Sequence, residues 1–438
     1  MKKNQENQLM EAITSLVKRR GFIFPGSEIY GGLANTWDYG PLGVELKNNI
    51  KQAFWKRFVQ SRDDMIGLDS ALLMNTKVWE ASGHISTFSD PLVECKKCHE
   101  RFREDQLSDQ EICPKDKKEH EFTEAKQFNL MLKTFLGPVE DEKNTVYLRP
   151  ETAQGIFVNF KNIIDTTRKK LPFGVAQIGK AFRNEITPGN FIFRTREFEQ
   201  MEIEYFIPAP EKDSEWSGHF EAWRGEIHEW ILSLGIKEEH FEEVEISKED
   251  LAHYSRRTID FEYKYPFGQK ELYGLAYRTD FDLRNHGLTY TDDKGETFTP
   301  HIIEPSLGVD RTVLAVLLST YEEEKTKDDT RVVLHLPNFL APYKIAVFPL
   351  LKNKPELVAA ASEIYHELKK HWSCDFDDNG NVGKRYRRQD EIGTPYCITV
   401  DFDTLEKGDV TVRDRDTMKQ ERIKITDLQN YFNEKINV

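Results

Sequence analysis

Apolar residues recur at every fourth position of residues 44–58, which predicts a long amphipathic helix with one apolar face. The members of this ladder are Leu46, Ile50, Phe54 and Phe58. A second apolar helix is predicted for residues 309–321, directly after Gly308. Residues 175–206 are predicted to form two strands around a turn, and residues 273–281 a further strand. The first part of the chain is therefore predicted to be an α+β body with an antiparallel sheet and flanking helices.

Beyond Pro342 the pattern changes to short apolar strands that alternate with amphipathic helices. Strands are predicted for residues 343–350, 396–400, 410–413 and 423–425, and helices for residues 356–372 and 427–436. Such alternation indicates a separate C-terminal α/β domain. We therefore predict one domain over residues 1–336 and a second over residues 337–438. The first is expected to carry polar insertions at about 92–145 and 208–265, the second of them with a helix at 216–234.

The composition fits packed globular domains, with 38% hydrophobic and 31% charged residues among 438. The net charge of −14 argues against non-specific coating of nucleic acid, although the basic run at residues 384–388 allows a local contact. The chain has no run of 18 apolar residues and a polar N-terminal region, so we expect no membrane partner. Five cysteines, an odd number, fit a reducing cytoplasm better than a disulfide framework.

The predicted hairpin carries the most informative chemistry. Arg183 and Glu185 lie two residues apart in an extended segment and therefore point to the same side. The second strand brings Arg194, Arg196 and Phe198. Several guanidinium groups, a carboxylate and an aromatic ring on one surface suit a bound triphosphate and its base, without any glycine-rich loop.

This hairpin resembles motif 2 of the class II aminoacyl-tRNA synthetases. Residues 304–311, Glu-Pro-Ser-Leu-Gly-Val-Asp-Arg, resemble motif 3 of that class. Residues 31–43 and the following helix resemble the glycyl form of motif 1, which builds the dimer interface in this class. Residues 147–155 resemble the segment that lines the amino-acid pocket in class IIa, and residues 383–397 resemble the anticodon-binding domain, with its arginines in one loop. The details resemble the homodimeric, bacterial-type glycyl branch of the family.

The resemblance implies ATP-dependent activation of glycine as an adenylate and transfer to tRNA(Gly), by a cytoplasmic homodimer with the class II antiparallel sheet. The implied catalytic residues are Arg183, Glu185 and Arg311. The implied ATP contacts are Arg183, Asn184, Glu185, Phe193, Arg194, Thr195, Arg196, Glu197, Phe198, Glu271, Leu272, Gly308, Val309, Asp310 and Arg311. The implied glycine contacts are Arg103, Glu151, Phe198, Glu199, Gln200, Met201, Glu202, Glu304, Pro305, Ser306, Leu307 and Gly308. Arg385, Arg387 and Arg388 are implied in tRNA binding.

The resemblance implies a chemical role for some of these residues. By resemblance, Arg183 would lie between the glycine carboxylate and the α-phosphate and reduce their repulsion. A carboxylate such as Glu151 is the partner that the ammonium group of glycine needs. Glu271 and Glu304 are candidate Mg²⁺ ligands, since carboxylates next to phosphates are the usual magnesium site. Glycine has no smaller competitor, so no editing domain is required.

Three alternatives stay open at this point. The chain could be a class IIa synthetase for threonine, proline, serine or histidine, but the glycyl form of motif 1 weighs against this. It could be a synthetase-like nucleic-acid-binding protein without catalysis, although Arg183, Glu185 and Arg311 are all present. It could be an unrelated ATP-using ligase, which the lack of a Walker-type loop disfavours.

A metal site is not part of this assignment. Cys95, Cys98 and Cys113 resemble parts of a zinc knuckle, but Asp116 stands where a fourth cysteine is expected. His99 or His120 could complete four ligands. Structural zinc is therefore an alternative that the sequence does not favour over a knuckle that has lost its metal.

Overall fold

The structure is a computed structural model that describes residues 2–107, 112–325 and 330–436. The outer ends of the two predicted domains, residues 1 and 437–438, and residues 108–111 of the first predicted insertion lie outside the described residues. The helices are α1 Lys2–Arg20, α2 Pro41–Trp55, α3 Thr76–Ala81, α4 His84–Thr87, α5 Ala153–Val158, α6 Phe160–Thr167, α7 Asp213–Ser233, α8 Phe281–Asn285, α9 Val309–Thr320, α10 Pro355–Leu368, α11 Val382–Ile392, α12 Phe402–Lys407 and α13 Leu428–Ile436.

The strands are β1 Ile23–Pro25, β2 Trp37–Tyr39, β3 Met65–Gly67, β4 Ser89–Glu94, β5 Arg101–Arg103, β6 Lys126–Asn129, β7 Lys133–Phe135, β8 Thr145–Tyr147, β9 Phe173–Phe182, β10 Glu197–Ile207, β11 Phe241–Glu245, β12 Arg257–Tyr265, β13 Gly268–Thr279, β14 Tyr290–Thr291, β15 Thr297–Phe298, β16 His301–Gly308, β17 Tyr321–Lys325, β18 Thr330–Leu334, β19 Ile345–Pro349, β20 Cys374–Phe376, β21 Tyr396–Val400, β22 Asp409–Asp414 and β23 Gln420–Lys424. Helices and strands are thus mixed throughout, which confirms the predicted α+β class.

A seven-stranded sheet forms the centre of the first part of the chain. Its strand order is β11-β12-β13-β16-β10-β9-β3, and all neighbours are antiparallel except β3 and β9. Strand β10 lies between β9 and β16, so the predicted hairpin and the strand that precedes α9 are neighbours. Side chains alternate between the two faces of such strands, and one face of β10 and β16 can therefore carry polar groups while the other is apolar.

Helix α2 packs against one face of this sheet, together with α7 and α9. Its predicted ladder of four apolar residues is at most 1% exposed and belongs to the same core cluster as the sheet. The helix begins at Pro41, which suits a first turn because proline has no N–H to leave unpaired there. A Cβ on Gly43 would lie 1.8 Å from the carbonyl oxygen of Phe22, so only glycine fits at this contact. The ladder face is thus buried inside the chain itself.

Residues 208–265 do not form a peripheral insertion, contrary to the expectation from their polar composition. They supply helix α7 and strands β11 and β12, which extend the central sheet beyond β13. Residues 92–145, by contrast, include small sheets apart from the central one. Strands β4, β5 and β6 form a three-stranded sheet, and β7 pairs with β8.

The C-terminal part contains a five-stranded sheet of order β20-β19-β21-β22-β23. Helices α10 and α13 cover one face in an apolar cluster that includes Leu357 and Phe432. Helix α11 covers the other face, where Val382 and Tyr386 pack on Phe348. Buried Arg331 of β18 donates to Asp390 of α11 at 2.8 Å. This hydrogen bond connects the β17–β18 hairpin to the helix that covers the five-stranded sheet.

Helix α11 differs from the loop that we predicted for the arginine-rich run. The side chain of Asn381 accepts a hydrogen bond from the Lys384 N–H and caps the start of the helix. Gly393, with φ of 78°, ends it in the left-handed conformation. No helix in the described part of the chain is long and apolar enough to cross a membrane.

Candidate active site

The β9–β10 hairpin turns through residues 183–196, which arch over the edge of the sheet. Pairing runs to Phe182 opposite Glu197, and the Arg183 N–H then donates to the Arg196 carbonyl at 2.9 Å. Asn190 and Phe191 have φ of 55° and 59°, a left-handed turn that sends the chain back toward the sheet. The arch holds its arginines above the polar face of β10 and β16.

Arg183 lies at the centre of the site between two aromatic rings. Its guanidinium carbon is 5.4 Å from the ring centre of Phe88 and 5.3 Å from that of Phe198. Its Nε donates to the carbonyl oxygen of Pro150 at 3.0 Å. These contacts fix the plane of the guanidinium and hold its charge at the entrance to a cavity.

Arg311, in the first turn of α9, faces the same cavity from the other side. Its guanidinium carbon lies 4.5 Å from the ring centre of Phe193, and it donates to the Glu271 carboxylate at 2.9 Å. Burial opposes the ionisation of Glu271, but Arg311, Arg183 and Arg194 together hold its pKa below the usual range. The Arg311 guanidinium is therefore held against the Phe193 ring at the wall of the cavity.

An open cavity lies between these groups. Its lining includes three arginines, Arg183, Arg194 and Arg311, and four carboxylates, Glu185, Glu199, Glu271 and Asp310. Lys47 pairs with Glu199 and Asp310, and Arg311 pairs with Glu271. The Nε of Arg194 lies 3.9 Å from Glu185, so the hairpin also places a carboxylate at this cavity. The lining is therefore suited to a polyanion.

A second cavity of about 1010 Å³ shares Arg183, Gln200, Glu271 and Ser306 with the first and is lined by carboxylates. The members of this acidic floor are Glu151, Glu202 and Glu304. Glu202 accepts hydrogen bonds from the Thr152 N–H at 3.0 Å and from the Ser306 hydroxyl at 3.0 Å. The two cavities thus meet at Arg183, one of them basic and the other acidic.

A buried arginine that the sequence analysis missed supports this acidic floor. Arg278 on β13 donates to Glu304 at 2.7 Å and to Asp282 at 2.8 Å. Gln154 donates to both Asp282 and Glu151, at 2.9 and 3.0 Å. The carboxylates therefore have fixed positions before any ligand binds.

The acidic groups differ in ionisation. Burial raises the pKa of Glu202, helped by the negative charge of Glu151. Burial also raises the pKa of Glu304 to about 8, and the attraction of Arg278 does not offset it. Glu151 is buried as well, but the charges of His84 and Arg278 hold its pKa below the usual range. A cationic ligand in this pocket would pair with the Glu151 carboxylate and would favour the ionised forms of Glu202 and Glu304.

Two further buried groups lie beside this floor, Glu204 next to Glu202 and Glu304, and His84 next to Glu151. Neither carboxylate oxygen of Glu204 has a hydrogen-bond partner among the described residues, and burial raises its pKa well above the usual value. His84 Nε2 lies 3.4 Å from Glu151 Oε2. The period-two order of Phe198, Gln200, Glu202 and Glu204 was the sequence signal that could have found Glu204. No local signal marked His84.

Other residues of the predicted site lie on the opposite face of the sheet or in the core. Met201, Leu307 and Val309 are fully buried in the apolar cluster beneath the site. Glu199 pairs with Lys47 and Lys51 of α2, each at 3.1 Å. The structure therefore does not bring these side chains to the acidic floor.

Asp310 joins motif 3 to the rest of the fold. It accepts hydrogen bonds from the Tyr39 hydroxyl at 2.5 Å, from Lys47 at 3.0 Å and from the Glu199 N–H at 2.7 Å. These three donor groups lie on β2, α2 and β10. Asp310 thus holds α9, and with it Arg311, against α2 and β10.

The remaining predicted residues lie at the margins of the site. Arg103 pairs with Asp90 and Asp105 in the small β4–β5 sheet, at 2.8 and 2.7 Å. Glu197 pairs with Lys180 on the exposed side of the hairpin. Thr195, Leu272 and Gly308 line the basic cavity, and Pro305 lies in β16. The Asn184 N–H donates to the Leu130 carbonyl, and the Arg196 guanidinium donates to the carbonyls of Glu185 and Ala34.

The three arginines predicted to bind tRNA have different surroundings on α11. Arg385 is 1% exposed and donates to the carbonyl oxygens of Pro349, Asp378 and Gly380. Arg388 donates to Asp377 at 2.8 Å. Arg387 is half-buried next to exposed Lys384. A contact with RNA would therefore be made by Arg387, Lys384 and part of Arg388, and not by Arg385.

Comparison with known proteins agrees with this geometry. Residues 136–321 match the tRNA synthetase class II core domain (G, H, P, S and T), and residues 344–435 match the anticodon binding domain. The glycine--tRNA ligase of Lachnospira eligens is 55% identical, with 97% of this chain and 98% of the relative covered. That of Geobacillus thermodenitrificans is 54% identical, with 98% and 97% covered.

The chain belongs to the glycine--tRNA ligases. This membership confirms the resemblance drawn from the motifs and the assignment as a class II aminoacyl-tRNA synthetase. It decides against the alternatives of another amino-acid specificity and of an unrelated ATP-using ligase. Among solved structures, the prolyl-tRNA synthetase from Cryptosporidium parvum complexed with L-proline and AMP has the same fold, with a TM-score of 0.66 at 16% identity over 97% of this chain and 74% of that one.

Proposed function

We propose that this ligase joins glycine to tRNA(Gly) in two steps that both occur where the basic and acidic cavities meet. In the first step a carboxylate oxygen of glycine attacks the α-phosphorus of ATP, and pyrophosphate leaves. In the second step a hydroxyl of the terminal ribose of the tRNA attacks the glycyl carbonyl, and AMP leaves. The observation that carries this proposal is the position of Arg183, which lines both cavities.

ATP would occupy the basic cavity. The base would lie between Phe198 and the guanidinium of Arg311, and Arg194 would meet the phosphates. Arg183 would stand between the carboxylate and the α-phosphate and stabilise the crowded transition state. Glu185 would accept a hydrogen bond from the adenine amino group or from the tRNA end, since Glu185 Oε2 is buried without a hydrogen-bond partner among the described residues.

Glycine would bind with its ammonium group over the acidic floor. Glu151 is the anionic partner, while Glu202 is kept rigid by Thr152 and Ser306. The carboxylate of glycine would then point toward Arg183. The paired side chains of Glu304 and Arg278 would stand beyond the α-carbon of the bound glycine and would disfavour larger amino acids by steric exclusion.

Class II synthetases use ATP with Mg²⁺. Asp260 and Glu271 both line the acidic cavity, where burial and the charge of Glu271 raise the pKa of Asp260 to about 7, and a cation bound there would offset that repulsion. We infer that Glu271, with Asp260, would hold Mg²⁺, which would neutralise phosphate charge. Both candidates from the sequence are paired with an arginine, but Glu271 lines both cavities whereas Glu304 lines only the acidic one.

The proposal extends to the whole molecule. Residues 337–438 would bind the anticodon stem and residues 1–336 would perform catalysis. The chain would act as a homodimer in the cytoplasm, where its five unbridged cysteines would remain reduced. Because the apolar face of α2 is buried in its own chain, the dimer contact would use the loop before it, where Ile29, Tyr30 and Leu33 are 88%, 87% and 67% exposed. Light scattering at micromolar concentration would test this point, and a mass near 51.2 kDa would contradict it.

Pyrophosphate exchange tests the catalytic proposal directly. The enzyme is incubated with ATP, labelled pyrophosphate and each of the twenty amino acids in turn. Glycine alone should support exchange. Exchange with a larger amino acid at a comparable rate would contradict the steric argument, and no exchange with any amino acid would favour a catalytically inactive nucleic-acid-binding protein.

A further inference from the structure

A cluster of three cysteines and one histidine lies outside both cavities, in the segment between β4 and β6. Cys95, Cys98, Cys113 and His120 each direct one ligand atom inward, and these four atoms all lie within 4.8 Å of one another. We propose that this cluster binds one structural Zn²⁺ ion through three thiolates and one imidazole nitrogen. The site goes beyond the proposed function, since none of its residues lines the basic or the acidic cavity.

The separations fit a tetrahedral ion. Cys95 Sγ lies 3.9 Å from Cys113 Sγ, and Cys98 Sγ lies 3.7 Å from His120 Nδ1. Four ligands at Zn–S distances of about 2.3 Å are separated by about 3.8 Å from one another. A disulfide would require about 2.05 Å between the sulfurs, so Cys95 and Cys113 are not bonded to each other.

The backbone on either side of the cluster forms two equivalent turns. The Cys95 carbonyl accepts the His99 N–H at 3.0 Å, and the Cys95 N–H donates to Glu100 at 2.9 Å. Residues 113–118 repeat this pattern: the Cys113 carbonyl accepts the Lys117 N–H at 2.9 Å, and the Cys113 N–H donates to the Lys118 carbonyl at 2.7 Å. In this repeat Asp116, three residues after Cys113, is equivalent to Cys98, three residues after Cys95.

Both turns contain strained backbone. His99 has φ of 62° and Lys117 has φ of 60°, although neither is glycine. Such residues persist where the surroundings hold them, and a bound ion at the centre of the two turns would do so. The Lys97 N–H also points at Cys95 Sγ at 3.5 Å, the kind of donor that stabilises a metal-bound thiolate.

His120 takes the place of a fourth cysteine. Its ring packs between Phe102 and Phe122, with ring centres 4.9 and 5.5 Å away, which orients Nδ1 toward Cys98. Asp116 is bonded instead to Lys97 at 2.8 Å, and His99 to Glu94 at 3.0 Å. The sequence left the fourth ligand open and favoured no metal, whereas the fold brings a residue from 22 positions beyond Cys98 to complete the set.

The ion would stabilise a part of the fold that borders the active site. Phe88, directly before β4, lies against Arg183, and Asp90 of β4 pairs with Arg103. Three strands alone make a small sheet with little apolar core, and bound zinc is a common substitute for such a core. The loss of zinc should therefore loosen residues 89–129 first, and should do so while the central sheet stays folded.

Metal analysis of the full-length protein tests the proposal. Protein that is produced in zinc-supplemented medium and purified without chelators should contain about one zinc ion per chain. Cys98→Ser and His120→Ala should each lower this to less than about 0.2 per chain, since three ligands hold zinc far more weakly. The matched controls His99→Ala, Asp116→Ala and Cys374→Ser remove the same residue types outside the ligand set and should retain the metal.

A spectroscopic measurement on the wild type covers variants that fail to fold. X-ray absorption at the zinc edge should give about three sulfur ligands near 2.3 Å and one nitrogen near 2.0 Å. Three results would overturn the proposal: wild-type protein without stoichiometric zinc, a Cys95–Cys113 disulfide in the freshly purified protein, or zinc retained by His120→Ala but lost by His99→Ala or Asp116→Ala.

Discussion

Glu202 and Glu304 reach into the same buried pocket from the neighbouring strands β10 and β16, and their carboxylate oxygens lie within 4.8 Å of each other. Two carboxylates this close in a site shielded from water do not both ionise readily. Glu202 accepts hydrogen bonds from four donor groups, the N–H and hydroxyl of Thr152, the hydroxyl of Ser306 and the amide of Gln200, whereas Glu304 is paired with Arg278. The negative charge of Glu202 therefore opposes the ionisation of Glu304, and a bound ammonium group would offset this repulsion.

This repulsion predicts a dependence of stability on pH. Burial raises the pKa of Glu304 to about 8 from the ordinary 4.5, Arg278 opposes the rise, and Glu202 and Glu151 add to it. Between these values the folded protein keeps a proton that the unfolded chain has lost. Because the folded state binds more protons, this residue makes the free energy of unfolding fall as pH rises from about 4.5 to about 8. Above the folded pKa its contribution is constant.

Glu304→Gln removes this proton linkage and keeps the shape of the side chain. The difference in free energy of unfolding, variant minus wild type, should therefore increase from about pH 5 to about pH 8 in urea titrations at constant ionic strength. Glu140→Gln, at an exposed position, is the control, and its difference should stay flat. A difference for Glu304→Gln that is constant or decreases with pH would mean that Glu304 is ionised in the folded protein.

Arg183→Ala should nearly abolish adenylate formation and leave the fold intact. The guanidinium lies at the junction of the two cavities and would act on charge that develops in the transition state. Loss of one such donor typically costs at least about 10²-fold in rate. Glycine-dependent pyrophosphate exchange measures this loss, and the thermal midpoint monitors the fold. Arg19→Ala, an exposed arginine on α1, should keep wild-type activity. Exchange within a few-fold of wild type in Arg183→Ala would remove Arg183 from the catalytic group.

Much of the fold followed from local pattern. The helix predicted for residues 309–321 is Val309–Thr320, and the strand predicted for residues 396–400 is Tyr396–Val400. Both segments are mostly apolar, and their lengths, 12 and 5 residues, distinguish the helix from the strand. The loop predicted for residues 383–388 was wrong for the opposite reason. Its helix buries Arg385, whose guanidinium is satisfied by carbonyl groups, and no apolar periodicity marks that face.

The residues of the candidate site also fall into those that could be grouped from the sequence and those that could not. Arg183, Glu185 and Arg194 belong to one hairpin, so their order along the chain was enough to group them. Arg278 and His84 reach the acidic floor from β13 and α4, which only the register of the central sheet and the packing of the loops bring near Glu151. Their positions depend on contacts between residues far apart in sequence, and local pattern carries no information on these.

Glu151→Gln should weaken the binding of glycine far more than that of ATP. The substitution keeps the size of the side chain but removes the charge that would face the ammonium group. A hydrogen bond to a charged group contributes about 1.5–3 kcal/mol, so the dissociation constant of glycine should rise about 10- to 150-fold. Calorimetric titration with each ligand separately provides the measurement, with Glu140→Gln as control. Equal losses for glycine and ATP would place Glu151 outside the amino-acid pocket.

The C-terminal domain offers a test that separates two kinds of arginine on one helix. Arg385 is buried and bonded to three carbonyl oxygens, so Arg385→Ala should destabilise the five-stranded sheet. Lys384 is exposed and Arg387 half-buried on α11, and neither side chain forms an ion pair with another described residue. The double variant Lys384→Ala/Arg387→Ala should therefore fold normally and form glycyl-adenylate at the wild-type rate.

Binding and charging of tRNA should fall in this double variant. Each lost phosphate contact should also make the plot of log K against log salt shallower by about 0.7–0.9. Arg422→Ala is the matched control, because Arg422 lies in the same sheet but is paired with Asp401 and Asp409. If the double variant binds tRNA with the wild-type affinity and salt slope, the basic end of α11 is a solvated surface, and the tRNA contact of residues 337–438 lies elsewhere even though the catalytic proposal would stand.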